Sequence, residues 1–178
     1  MIIKNGSLSI RNAGPDDAGL LCSWWNDGKV MAHAGYPNGI GISKAEALEL
    51  LEKDNDLQRR LILELENEPI GEMSYRTLEE RTAEIGIKIC DFDQQNKGYG
   101  SEFLRMLMDY LFVKKGYSKV ILDTNLKNER AQLVYERLGF QKVRTNINKW
   151  RDQLGEMQSS VDYEMTKEVY QQLYRDQD

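Results

Sequence analysis

The feature that most constrains this chain is a change of hydrophobic period that occurs repeatedly between Ala83 and Gly139. Ala83–Cys90 alternates, with Ile85, Ile87 and Ile89 on one face and Glu84, Gly86 and Lys88 on the other, which reads as a strand. A polar stretch with two glycines follows. Ser101–Lys115 then places Leu104, Leu107, Met108 and Leu111 at i, i+3, i+4 and i+7, the stripe of an amphipathic helix, and Gly116 ends it. Lys119–Thr124 is a short apolar strand, and Glu129–Leu138 a second helix closed by Gly139. A parallel strand pair needs a crossover of helical length, so this run is where parallel pairing is expected.

The rest of the chain alternates differently. Ser7–Arg11 reads as a strand, and Pro15-Asp16-Asp17 as the start signal of a helix over Ala18–Trp25. Residues 26–42 carry Gly28, Gly35, Gly39, Gly41 and Pro37, and read as an irregular loop. Ser43 and Glu46 have capping-box spacing ahead of a helix over Ala45–Lys53. Strands over Arg60–Leu65 and Pro69–Thr77 flank the turn-prone Asn67-Glu68, and two more, Phe140–Trp150 and Ser160–Thr166, flank the polar turn Arg151–Glu156. Strand runs mixed with helices predict an α+β fold, a mostly antiparallel central sheet with helices on both faces. The sequence has no internal repeat, no low-complexity stretch and three prolines, so residues 1–178 are expected to form one domain.

Composition removes several function classes. No run approaches the roughly 20 apolar residues of a membrane span, and the first residues lack a signal peptide's pattern; a cytoplasmic protein without a membrane partner is expected. Cys22, Cys90 and His33 are too few and too scattered for a structural zinc site, so no metal is expected. The net charge of -5, with no basic stripe, argues against a nucleic-acid partner. An acidic surface favours a cationic substrate, although mild acidity also serves solubility alone.

The stretch Gln95-Asn96-Lys97-Gly98-Tyr99-Gly100 joins the alternating strand to the amphipathic helix. Two glycines there let the backbone turn tightly and bring amides close to a ligand. The first helical turn, through Ser101, adds orphan N–H groups and a partial positive charge, so the junction suits a diphosphate. Lys97 adds a full charge, and Gln95 and Asn96 offer further donors. A bare tight turn would use the same residues. The Walker order is absent, because Lys97 precedes Gly98 and no Gly-Lys-Ser/Thr follows.

Gln95-x-x-Gly98-x-Gly100 resembles the Gln/Arg-x-x-Gly-x-Gly/Ala signature of the GNAT acetyltransferase superfamily. Asn128-Glu129-Arg130-Ala131 through Tyr135 to Gly139-Phe140 resembles its second segment, one helix and one strand downstream. The resemblance spans roughly Ile10 to Thr166 and is closest to the ribosomal-protein, spermidine and aminoglycoside acetyltransferases. It implies acetyl-CoA as co-substrate, its pyrophosphate on Gln95–Ser101 and its pantetheine against Ile87, Ile89 and Cys90 of the splayed strand. It also implies Asn128 on the pantetheine arm and Tyr135 near the sulfur. A phenol of pKa about 10 stays protonated at neutral pH and can assist a departing thiolate of pKa about 8.5. Asn128 would equally serve as a helix N-cap and Tyr135 as packing.

The implied reaction is transfer of acetyl to an amine, with a small polyamine, an aminoglycoside or a protein N-terminus as acceptor. A homodimer is compatible with the resemblance. A non-catalytic CoA-binding module on the same fold is the competing reading. Glu84 and Glu72 are the candidate bases, each alternatively a solvated strand-face glutamate. The loop carrying Trp25, Asp27, His33 and Tyr36 is the candidate acceptor pocket.

Overall fold

The computed structural model describes residues 1–175. Among them, eight strands form a single sheet: β1 Ile2–Asn5, β2 Leu8–Asn12, β3 Gln58–Leu65, β4 Glu68–Leu78, β5 Thr82–Ile89, β6 Lys119–Asn125, β7 Gln141–Arg151 and β8 Met157–Thr166. Their order across the sheet is β1-β2-β3-β4-β5-β6-β8-β7. Every neighbouring pair is antiparallel except β5–β6. That exception falls where the strand–helix–strand run predicts it.

The helices are α1 Ala18–Trp25, α2 Gly28–Met31, α3 Lys44–Glu52, α4 Tyr99–Asp109, α5 Glu129–Arg137 and α6 Lys167–Tyr174. Alternation along β3 divides them between two cores. Leu61 and Leu63 point to one face, where Phe103, Leu107 and Leu111 of the α4 segment, Leu138 after α5 and Tyr170 of α6 complete the larger core. Ile62 points to the other face, under Ala18, Leu21 and Trp25 of α1 and Ala47 and Leu51 of α3.

Three elements differ from the sequence expectation. β1 precedes the first predicted strand, linked by a turn in which Gly6 takes φ +58°. The 26–42 loop contains α2 and a 3₁₀ turn, Ala32–Ala34, which Asp27 starts by accepting from the Lys29 amide. α6 follows β8 directly: Thr166 caps it, and the Tyr170 ring packs 5.0 Å from that of Phe112. Its polar composition hides it, because only its contact with α4's extension makes burial worthwhile. The last turn of the α4 segment, Tyr110–Lys114, widens to π geometry.

The feature that positions a site is a fork. β5 and β6 pair only through Thr82↔Lys119, Ala83↔Val120 and Glu84↔Ile121. β5 nevertheless stays on β4 as far as Gly71↔Ile89. Beyond Glu84 the two parallel strands diverge, and the sheet opens between them.

Candidate active site

Two concavities reach the fork. A cleft of about 1110 Å³ runs from it between the start of α4 and α5. A groove of about 400 Å³ lies across β3, β4 and β5. Ile85, Gly86 and Asp123 line both, so the two concavities meet at the mouth of the fork. Ordinary small-ligand pockets span roughly 300–1,000 Å³, so the cleft suits a long ligand and the groove a small one.

The glycine loop forms one end of the cleft. Gly98 is the N-cap of α4 at φ +84°, a left-handed conformation that side chains resist, and Asn96 precedes it at φ +60°. Gly100 has ordinary helical geometry, and a Cβ there would meet no atom nearer than Ile89 Cγ1 at 4.0 Å. That position therefore leaves space over the helix end. The Glu102 amide makes the first bond to Gly98 O at 3.2 Å, so the amides of Tyr99, Gly100 and Ser101 precede the ladder and face outward as orphan donors. Free amides, a positive helix end and an uncluttered approach fit a diphosphate.

The polar side chains of this loop are arranged differently from expectation. Gln95 Nε2 donates to Ile89 O at 2.9 Å, and Gln95 Oε1 accepts from Arg130 Nη1 at 2.8 Å. Gln95 thus ties the loop to β5 and α5, with one of its two amide hydrogens committed to Ile89 O. Asn96 Oδ1 accepts from Arg130 as well, at 3.3 Å. Lys97 is exposed, donates to Gln94 Oε1 at 3.1 Å and lies outside the cleft lining. Arg130, which reaches the loop from α5, is the cation that lines the cleft here. Its only sequence signal is its place two residues after Asn128.

Asn128 caps α5, its Oδ1 accepting from the Ala131 amide at 3.2 Å, and it also lines the cleft. Tyr135 is buried, with its ring edge-on to Phe140 and Tyr163 at centroid distances of 6.1 and 5.6 Å. Its hydroxyl makes no hydrogen bond to another described residue, and the side chain lines the cleft. Burial, helped by the charge of Asp123, pushes the phenol up to about 12. The group is therefore a proton donor across the neutral range.

Asp123 projects from β6 opposite Asp162 of β8. It is open to solvent inside the concavity, yet the protein around it raises its carboxyl above the ordinary range. Desolvation is the main cause; Lys149 opposes it, and Asp162 and Glu84 add to it. Among the described residues no side chain donates to it. An accessible carboxylate with a raised pKa, placed where two concavities meet, has the attributes of a general base.

The two glutamates singled out from sequence are committed elsewhere. Glu84, the last β5 residue paired to β6, accepts from Arg76 Nη2 at 2.6 Å at the groove edge. Glu72 is buried, not solvated: Trp25 Nε1 donates to both its oxygens at 3.0 Å, and Lys88 Nζ to Oε1 at 3.2 Å. Trp25 accordingly belongs to the α1–α3 core and is in the lining of neither concavity. Asp27 caps α2, and the exposed Tyr36 lies outside both linings. His33 lines the cleft, not the groove; burial, then the charge of Arg130, lowers its pKa. Ile87 and Ile89 line the cleft, whereas Cys90 is a buried thiol whose pKa is pushed far up by desolvation.

The wall beside His33 is completed by a contact between distant segments. Gly35 packs against Trp150 so closely that a Cβ would fall 2.2 Å from the ring. Gln153, in the β7–β8 turn, donates through its amide to Gly35 O and through Nε2 to Gly39 O, both at 2.9 Å. Its Oε1 accepts from the Asn38 amide at 2.9 Å.

A forked sheet with two concavities meeting at its opening can hold two ligands against one another at the fork. The model of the acetyltransferase (GNAT) domain matches residues 7–141, and the chain belongs to that family. It is 24% identical over 144 residues to the uncharacterized N-acetyltransferase p20 of Bacillus licheniformis, covering 76% of this chain and 79% of that one. Among solved structures it resembles the spermidine N-acetyltransferase of Vibrio cholerae in complex with CoA and spermine, with TM-score 0.83, 22% identity and coverage of 93% and 99%. It also resembles a ribosomal L7/L12 alpha-N-protein acetyltransferase in complex with CoA, with TM-score 0.83, 18% identity and coverage of 93% and 98%. Among the described residues no helix is long and apolar enough to cross a membrane.

Proposed function

We propose that the protein transfers the acetyl group of acetyl-CoA to an amine by direct attack on the thioester, with Asp123 as base and Tyr135 as acid. The observation that carries this reading is the meeting of cleft and groove at Asp123, within electrostatic reach of Tyr135. Acetyl-CoA would supply an activated carbonyl. The amides opening α4, with Arg130, would hold its pyrophosphate, and the free edge of β5 from Ile87 to Ile89 would lie along its pantetheine, with Asn128 on the opposite wall.

An alkyl amine of pKa about 10.4 is neutral in roughly one molecule per thousand at pH 7, so a proton acceptor is needed. Asp123 takes that proton as the nitrogen bonds to the carbonyl carbon. As the carbon–sulfur bond breaks, Tyr135 donates to the departing sulfur, the second proton lost by the adduct nitrogen replaces the one Tyr135 gave, and Asp123 releases its proton to solvent, leaving an amide and a free thiol. The raised pKa of Asp123 makes it a stronger base than an ordinary carboxylate.

A melting experiment tests donor binding. Acetyl-CoA at 100 times its Kd should stabilise the fold by about 2.7 kcal/mol, and ATP or NAD by nothing comparable. A screen of amines with thiol release as readout then tests transfer. Stabilisation by ATP and none by acetyl-CoA would overturn the donor assignment.

A further inference from the structure

Given acetyl transfer at this fork, we infer that Gln153 is a positioning residue, which acts through residues 26–42 to fix the width of the opening. The inference rests on the acetyl-transfer reading. In that reading the donor lies along β5 and the base, Asp123, stands on β6, yet the pairing of those strands ends at Glu84↔Ile121. Reacting atoms must come within about 3–3.5 Å of one another, so the spacing of the two arms needs a second fastening.

Residues 26–42 join the arms. At their start, Trp25 donates to Glu72 of β4, which also accepts from Lys88 of β5. On the other arm, the Ala32–Ala34 turn lies against β6, and Gly35 packs on Trp150 of β7. The segment between these anchors is folded tightly onto itself. Asn26 Nδ2 donates to Ile42 O at 2.7 Å, and its Oδ1 accepts from the amides of Gly41 and Ile42 at 2.9 and 2.8 Å. A Cβ on Gly28 would fall 1.9 Å from Pro37 O, and one on Gly39 2.1 Å from Asn26 O. A close-packed piece held at both ends keeps the arms at one spacing.

Gln153 is the polar fastening on the β7–β8 arm. Its main-chain amide, Nε2 and Oε1 are directed to Gly35 O, Gly39 O and the Asn38 amide, each at 2.9 Å. A turn residue with its polar groups committed in this way fixes the orientation of the segment as well as its distance. The segment also forms a wall of the site, because Lys29, Val30 and His33 line the cleft together with Trp150 and Asp123. Gln153 itself is in the lining of neither concavity, so its effect on transfer is indirect.

Gln153→Ala removes both side-chain bonds, and Gln153→Glu keeps an acceptor for the Asn38 amide while losing the donor to Gly39 O. Full-length wild type and both variants are compared by hydrogen exchange and by single-turnover transfer, with saturating acetyl-CoA and the fastest amine of the screen. In Gln153→Ala, amides of residues 28–42 should exchange about tenfold faster or more, with those of β3 and β4 unchanged. Its single-turnover rate should fall about tenfold or more while acetyl-CoA affinity changes less than about threefold, and Gln153→Glu should lie between. A purely structural contact would lower the melting temperature and leave the saturated rate intact. Unchanged exchange would show that Gln153 does not hold the segment, and faster exchange with an unchanged rate that the segment does not set the reacting geometry; either overturns the inference and leaves acetyl transfer standing. A wild type that acetylates no amine of the screen would overturn both.

Discussion

On the α4–α5 side of the fork, the principal binding surface is main chain: helix amides, two glycines and the free edge of β5. On the α1–α3 side it is five charged side chains: Arg60 of β3, Arg76 of β4, Glu84 of β5, Asp123 of β6 and Asp54 of the turn before β3. A main-chain wall accepts a diphosphate and an amide-bearing arm and is largely indifferent to which residues build it. A wall of paired charges distinguishes between acceptors, and a few substitutions on an unchanged sheet would retune it. Chemistry is assigned to neither wall alone but to Asp123 and Tyr135, which stand between them.

Substitutions can break this division at its centre. Asp123→Asn should reduce kcat by about 10²–10⁴-fold while acetyl-CoA still raises the melting temperature. In the wild type, the rate should fall as pH drops through the Asp123 pKa, at a pH above that of an ordinary carboxylate, because a base works only when deprotonated. A variant that keeps its rate and its acid limb would return the base role to another group. Tyr135→Phe should slow transfer by about 10²-fold, the lower end for acid catalysis, with binding nearly unchanged because that help exists mainly in the transition state. Equal single-turnover rates in the two proteins would make Tyr135 a packing residue.

Gly100→Val sharpens the contrast between walls. The added carbons meet open space, so folding should persist, while acetyl-CoA affinity falls by about tenfold or more because they occupy the ligand's approach. Calorimetry showing unchanged affinity would mean that the loop is only a turn. Trp25→Phe should cost about 1.5–3 kcal/mol of stability through the buried Glu72 carboxylate, with little change in kcat, which chemical denaturation and kinetics separate. Glu84→Gln should have the smallest effect, less than about threefold in kcat, because Glu84 is committed to Arg76 at a solvent-exposed pair.

The donor side was legible because its signals are local. Glycine spacing from Gln95 to Gly100, the alternation of β5 and the stripe of α4 each lie within one segment, and backbone preference follows from neighbours in the chain. The parallel step was legible for the same reason, since only a helix of that length spans it. Even there, the roles of Gln95, Lys97 and Arg130 needed the fold, because α5 reaches back across 35 residues to take Gln95.

By itself the sequence determined the α+β class, the site of parallel pairing, the glycine-capped start of α4 and the shared helical face of Asn128, Ala131 and Tyr135. These are consequences of period, capping and backbone freedom, which act over a few residues. Tertiary structure decided which carboxylate is free. Asp123 has no motif, and its position matters only because β5 and β6 part after Glu84. Glu72 looked solvated on its strand until Trp25, 47 residues away, covered it. A side chain's charge state and reach depend on what is packed against it, and that is set by register and topology between segments far apart in the chain.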